Sequence, residues 1–445
     1  MKTPVADFIR AYAAREMVRA HMPGHKGRVL TGPEPMDVTE VSGAGELYGT
    51  AGPVQEAEDG TAALFASGRT CWATEGSSQC IRAMLTLATQ YGRGGRKILA
   101  ARNAHRAFLT ACALLDLTVD WLWPETYSLC SCPVTPEMVE RALAEGGEPP
   151  AAIYLTTPDY LGGLQDVQGI AAVAHAHGIP LLCDNAHGAY LHFLDRPMHP
   201  LDLGADLVCD SAHKTLPALT GCAYLHVAKG APEDFSAHAK EALLLYGSTS
   251  PSWLLLRSLD MVNARLAGTF PKELATMAGQ VSDLKARLGN LGWRFHGDEP
   301  LKLTLDARAA GYDGAALGAI LRRGGIEPEY VDPDFVVLML SPCNDGKDLA
   351  RLERVLAGTP LQAPLPQVAM PFAEPERVLS IREAMLGPAE TVPLSRAEGR
   401  VLAAPSLSCP PAISVVVSGE RIHTDAIALL RHHGTETVRV ARENG

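Results

Sequence analysis

Short apolar runs that end in polar clusters recur along the first half of the chain. Residues 97–101, 151–157, 180–183, 206–209 and 221–227 are too short for helices and too continuous for strands with one wet face. They predict buried strands of a mainly parallel sheet. Between them the apolar spacing changes to threes and fours. Ile81, Met84, Leu85 and Ala88 share one face of a helix over residues 79–91, and residues 168–177 predict another. Strands alternating with helices predict an α/β sheet covered on both faces, whose ligands bind beyond the carboxyl ends of the strands.

The second half changes pattern. A helix over residues 253–266 is followed by one carrying Leu274, Met277, Val281, Leu284, Leu288 and Leu291 at helical spacing. Leu301, Leu303 and Leu305 then alternate with polar residues as a strand. A helix over 313–323, strands over 326–331 and 335–341, and a helix over 349–357 complete a small α+β domain. Pro360, Pro364, Pro366, Pro371 and Pro375 read as a linker. The expected organisation is an N-terminal arm (1–60), a large domain (61–268), a small α+β domain (269–370) and a C-terminal module (371–445).

Two of the polar clusters carry the chemistry. Cys183-Asp184-Asn185-Ala186-His187-Gly188 and Asp210-Ser211-Ala212-His213-Lys214-Thr215 each follow an apolar run, so each is expected at a strand's carboxyl end. A lysine there, preceded by a serine and a histidine and with an aspartate on another strand end, suits a Schiff-base lysine and the acid that faces a pyridinium nitrogen. The cofactor so implied is pyridoxal 5'-phosphate (PLP). Taken singly, the lysine also reads as an ordinary loop residue and the aspartate as a helix cap. Thr74-Glu75-Gly76-Ser77-Ser78 ends a strand and opens a helix, which gives either a phosphate cradle or a capping serine. His105, in Asn103-Ala104-His105-Arg106, either stacks on a pyridine ring or starts a helix. Gly247-Ser248-Thr249-Ser250-Pro251-Ser252 is a second hydroxyl-rich loop before a helix. Two cradles for one phosphate are redundant within one subunit, so the second loop points to a homodimer in which each chain lends it to its neighbour.

Composition narrows the class. A length of 445 residues with 47% hydrophobic and 20% charged residues is globular and allows two or three domains. No run approaches the roughly 18 apolar residues of a membrane span, and the first twenty residues lack the apolar core of a signal peptide, so a cytoplasmic location is expected. The net charge of −11 argues against a nucleic-acid partner. The cysteines are scattered through apparent strands and helices. Cys130 and Cys132 have no second pair, and Pro23 and Gly24 break any helix between His21 and His25, so no metal site is expected.

Read together, HMPGHKG and TEVSGAGELYG in the arm, TEGSS, RNAHR, TTPDYLGG, DNAHGAY, DSAHKTLPALTG, YGSTSPS and the C-terminal EGRVLAAPSLSCPPAISVVVSGERI run in the order of a known family. The chain resembles the bacterial ornithine, lysine and arginine decarboxylases, fold type I PLP-dependent enzymes, in the short form without the N-terminal wing domain. The resemblance implies a PLP-dependent decarboxylase of a basic amino acid that releases a polyamine-pathway amine. It makes Lys214 the Schiff-base lysine and Asp184 the partner of the ring nitrogen. It puts His105 on the ring face and His187 beside the ring hydroxyl. Ser77, Ser78, Ser211 and His213 become phosphate ligands, and Ser248, Thr249 and Ser250 the segment that reaches a phosphate in the neighbouring subunit. Another PLP reaction on amino acids, or a non-catalytic PLP-binding protein, are the other readings of the same scaffold. The family often has Asn, Lys, Glu and His where Glu75, Arg106, Asn185 and Tyr190 stand, and a Pro-Pro-Gly-Ile-Pro type stretch has become Pro410-Pro411-Ala412-Ile413-Ser414.

Overall fold

A computed structural model describes residues 1–15, 17–92, 95–123, 131–366, 374–405 and 415–442. These residues fall into two compact units. The first holds Met1–Gly95, Ala151–Ile153 and Val167–Leu274, and the second Arg96–Pro150, Tyr154–Asp166 and Ala275–Gly445. Cys130, Pro371 and the stretch 410–414 lie outside the described residues.

In chain order the elements begin α1 (Pro4–Ala13), α2 (Pro53–Leu64), β1 (Arg69–Ala73), α3 (Ser77–Tyr91), β2 (Lys97–Ala101), α4 (Arg106–Leu115), β3 (Thr118–Leu122), α5 (Pro136–Glu145) and β4 (Ala152–Thr156). Next come α6 (Val167–Ala176), β5 (Leu181–Asp184), β6 (Leu207–Asp210), α7 (Ala212–Thr215), β7 (Ala223–Val227), α8 (Glu233–Leu244), α9 (Trp253–Leu266) and α10 (Phe270–Asn290). The rest are β8 (Phe295–His296), β9 (Lys302–Asp306), α11 (Gly314–Arg323), β10 (Tyr330–Val331), β11 (Phe335–Met339), α12 (Gly346–Ala357), α13 (Ile381–Leu386), β12 (Ala389–Pro393), α14 (Thr424–His432) and β13 (Thr437–Ala441).

In the first unit the strand order is β1-β7-β6-β5. Every residue of β5, β6 and β7 is buried, which is why these strands read as unbroken apolar runs rather than as alternation. β5 and β6 are parallel, as are β2 and β3 of the second unit, whereas β7 runs antiparallel to both β6 and β1. The link from β6 to β7 contains only the single turn of α7, too little for the crossover helix that a parallel return needs. α3 packs on α8 and against β1, β6 and β7, and α2 lies on β1. Between α2 and α8, Lys240 Nζ stands 2.6 Å from Glu58 Oε2, while Glu58 Oε1 accepts the Trp72 amide at 2.8 Å. Burial pushes the Glu58 carboxyl up to about 7, with Lys240 acting in the opposite direction.

The second unit contains the β2/β3 pair and a four-stranded antiparallel sheet ordered β10-β11-β9-β8. Of the strand expected over residues 326–331, only Tyr330 and Val331 pair. Pro328 offers no N–H to a ladder and confines the strand to the residues after it. α12 starts at a capping box in which Asp345 and Asp348 satisfy each other's backbone N–H groups.

The C-terminal residues of this unit add the antiparallel β12/β13 pair and place α13 against α4. Arg382 Nη1 donates to the carbonyls of Ala113 (2.9 Å) and Leu114 (3.0 Å) at the end of α4, and Arg377 donates to the Val119 carbonyl. A buried ion pair joins Arg102, the residue after β2, to Glu420. Nη1 and Nη2 donate to Oε1 (2.8 Å) and Oε2 (2.6 Å), and the guanidinium carbon lies 4.8 Å from the Trp121 ring centre and 4.4 Å from that of Trp123. Arg102 is 1% exposed and Glu420 3%, so the pair is shielded from water. Glu420→Gln is expected to lower stability by about 3–5 kcal/mol by taking the paired carboxylate charge away from a buried guanidinium. A urea titration should show the loss as a lower midpoint at unchanged slope.

Candidate active site

The site is built at the carboxyl ends of β5 and β6. Their parallel register pairs Asp184 with Cys209, so the two polar loops that follow start side by side. Asp184 is 2% exposed. Its Oδ1 accepts the Ala186 amide at 3.2 Å, and the Cys209 thiol points at the same oxygen from 3.5 Å. Both donors are neutral. The loop then turns, with the Gly188 amide bonded to the Asn185 carbonyl (2.8 Å), and this brings His187 back over the strand end.

Lys214 belongs to the one-turn helix after β6, closed by its own amide bonding to the Ser211 carbonyl at 3.0 Å. Its side chain is exposed, and Nζ lies 3.1 Å from His187 Nε2. An ammonium has only donors, so Nε2 accepts. The structure therefore brings together, within the first unit, the lysine, the histidine and the loop that Asp184 begins.

The third part is the start of α3. Gly76 is its N-cap, with φ 69° and ψ −177°, a conformation that essentially only glycine adopts at low cost. No serine caps the helix. Ser77 and Ser78 are its first two residues, so their hydroxyls stand beside first-turn N–H groups that have no partner within the helix. A Cβ added to Gly76 would meet nothing nearer than His213 Cε1 at 3.8 Å, so this opening faces the histidine that precedes Lys214. His213 Nδ1 is fixed by donating to the Cys222 carbonyl at 3.0 Å, and Ser211 Oγ lies 3.4 Å from the same ring nitrogen. Burial, with Lys214 alongside, holds the His213 imidazole below its ordinary value.

Ser248, Thr249 and Ser250 are exposed, with Ser248 Oγ accepting the Ser250 amide at 3.0 Å. Ser252 makes no side-chain cap on α9. The loop leaves from Gly247, where a side chain would collide with Tyr48 Oη and Gln79 Nε2. His105 lies in the second unit and is the N-cap of α4, its Nδ1 accepting the Ala107 amide at 3.2 Å.

Sequence reasoning missed the group beneath the two loops. Asp210, the last residue of β6, is fully buried. Its carboxylate accepts Asn185 Nδ2 (2.6 Å), His199 Nε2 (3.0 Å) and His226 Nε2 (3.1 Å). The one hint in the sequence was a histidine inside the apolar run 223–227. Burial alone would raise the Asp210 carboxyl, but His199 and His226 beside it outweigh burial and hold it well below the usual carboxylate range.

The donor set fits a phosphorylated pyridine aldehyde. It offers an amine for the aldehyde carbon, a buried carboxylate for a ring nitrogen, and a helix start with adjacent hydroxyls, opened by a glycine, for the phosphate.

Residues 3–288 match the family model described as the major domain of Orn/Lys/Arg decarboxylase, and residues 364–435 match the one for its C-terminal domain. An arginine decarboxylase of Bacillus subtilis is 27% identical over 461 residues, which cover 96% of this chain and 93% of that one. Among solved structures, the lysine decarboxylase LdcF of Francisella novicida superposes with a TM-score of 0.81 at 17% identity, covering 99% of this chain and 81% of that one. A structure of SPT with PLP gives a TM-score of 0.55 at 12% identity, covering 68% of this chain and 75% of that one.

Proposed function

Because the chain belongs to the Orn/Lys/Arg decarboxylase family, we propose that it decarboxylates a basic amino acid, with PLP held on Lys214. The observation that carries this reading is the Lys214–His187 contact beside the strand end that bears Asp184. The family description, Orn/Lys/Arg decarboxylase, supports arginine, lysine or ornithine as the substrate class, and relatives in Bacillus subtilis and Bacillus anthracis bear the name arginine decarboxylase. The buried free thiols of Cys71, Cys80, Cys112, Cys183, Cys209 and Cys222 fit a reducing compartment, and we place the protein in the cytoplasm.

PLP bound here would supply a protonated, conjugated ring that takes up the electron pair left on the α-carbon when carbon dioxide departs. The chain's own residues prepare for that. Lys214 presents the amine that anchors the aldehyde carbon, and His187 Nε2 is placed to take a proton from Nζ and return it. Asp184 presents a buried carboxylate to hold a proton on the ring nitrogen. The α3 start with Ser77 and Ser78, together with Ser211 and His213, would hold the phosphate. Ser248, Thr249 and Ser250 are proposed to act in the neighbouring subunit of a homodimer. Met17, Val18, Met22, Val29 and Leu30 of the arm are exposed, an apolar stretch that a second copy would cover.

Purified protein given arginine, lysine and ornithine should release carbon dioxide and the matching amine from at least one of them. Keto acid without carbon dioxide from all three would replace decarboxylation by transamination. Borohydride reduction of the yellow holoenzyme should fix the cofactor to the peptide containing Lys214, and a label on any other lysine would remove that assignment. For the dimer, Lys214→Ala and a Ser248/Thr249/Ser250 triple alanine variant, each inactive, are refolded together in equal amounts. Sharing across the interface leaves one site of each mixed dimer intact, so about a quarter of wild-type activity should return. Proven mixed dimers without recovery would confine the loop to its own chain.

A further inference from the structure

We propose that Asp210 is a positioning residue for the site, acting through Asn185 to fix the Asp184–His187 loop relative to Lys214. The proposal rests on reading Lys214 and Asp184 as the cofactor-holding pair. Regular pairing of β5 with β6 ends at Asp184 and Cys209. Beyond that point two hydrogen bonds tie the loop to β6: the Asn185 amide to the Cys209 carbonyl (3.0 Å) and Asn185 Nδ2 to Asp210 Oδ1 (2.6 Å). The second is the shorter, and it joins the residue after Asp184 to the strand end that leads directly into Lys214.

A carboxylate makes a useful anchor only if its own orientation is set, and here two imidazoles set it. The Leu201 amide donates to His199 Nδ1 at 3.2 Å, which leaves His199 Nε2 to donate to Asp210. Thr70 Oγ1 lies 2.8 Å from His226 Nδ1 and 2.8 Å from Ser67 Oγ, so the second ring is held from behind while its Nε2 donates to Oδ2. Three donors from three segments converge on one buried group. An amide in its place would offer a single acceptor oxygen and turn an N–H toward another donor. The carboxylate and both ring nitrogens already bond to one another directly, so the cluster is satisfied without an ion.

Asn185 suits this anchor because its side chain supplies an N–H to the carboxylate. A glutamate would set a second carboxylate against Asp210, whereas an asparagine donates to it. Asp184 precedes Asn185 and His187 lies two residues after it in the same turn, so loss of this tie would move both the carboxylate and the partner of Lys214 Nζ. Asp210 itself need touch neither substrate nor cofactor.

The test compares wild type, Asp210→Asn, Asn185→Ala and the double variant as full chains. Amide hydrogen exchange is followed over residues 184–188, and kinetics are measured on whichever basic amino acid is turned over. Asp210→Asn should speed exchange in that segment by about tenfold while β7 keeps its protection, as the loss of a hydrogen bond to a charged group implies. Turnover should fall by about a hundredfold, with KM changed by no more than about threefold, because displacement of reacting groups and not substrate binding is affected. The double variant should be no worse than Asp210→Asn, since both changes cut the same tie. Unchanged exchange over 184–188 with only a lower melting temperature would reduce Asp210 to a core residue, and additive losses would show that it does not act through Asn185. If Asp210→Asn fails to fold, Asn185→Ala alone must reproduce the exchange and turnover changes, and normal values in it overturn the proposal. Exchange needs no substrate, so a protein that decarboxylates nothing would remove the functional reading while leaving this inference to be decided by the exchange data.

Discussion

The parallel pairing of β5 with β6 is the constraint on which the candidate site depends. Because Asp184 lies opposite Cys209, the loop bearing His187 and the turn bearing Lys214 leave the sheet side by side, which brings their side chains to 3.1 Å. The antiparallel return of β7 adds His226 on the far side of β6, while His199 comes from the segment leading into β6. The sheet thus places charge-bearing groups at the strand end from both sides, and apolar burial of the strands supplies the rigidity that keeps them there.

Three buried charge clusters among the described residues are built differently. Lys240 and Glu58 neutralise each other between two helices and a strand. Arg102 and Glu420 form a two-pronged pair flanked by indole rings, in which planar groups satisfy one another's hydrogen-bonding edges. Asp210 instead accepts convergent N–H donors from Asn185, His199 and His226. In each case removing one member strands the other, so such groups tolerate substitution poorly even where they are remote from chemistry.

What could be read from the sequence follows from what is local. The strands announced themselves because burial on both faces leaves unbroken apolar runs, and Lys214, Asp184 and His187 stood out as polar residues placed where those runs stop. The direction of β7 was not readable, because an apolar run looks the same in either orientation and only the shortness of the α7 link decides it. Ser77 and Ser78 could be read as cradle or cap from composition alone; the glycine N-cap removes the capping reading. The grouping of Asp210 with His199 and His226 escaped notice for a different reason. Their association is a product of strand order, and no spacing along the chain encodes it.

The Arg102–Glu420 contact spans 318 positions of the chain. During synthesis the arginine emerges with the second strand, while its carboxylate partner is added only after both of the remaining small sheets' first strands have been made. Until then the two tryptophans can shelter the guanidinium's faces but its Glu420 carboxylate is missing, so the end of β2 lacks the pair that seals it. Completion of this unit is therefore postponed to the last part of translation, and a nascent chain stopped short of Glu420 carries a hydrated gap where the finished protein has a dry ion pair.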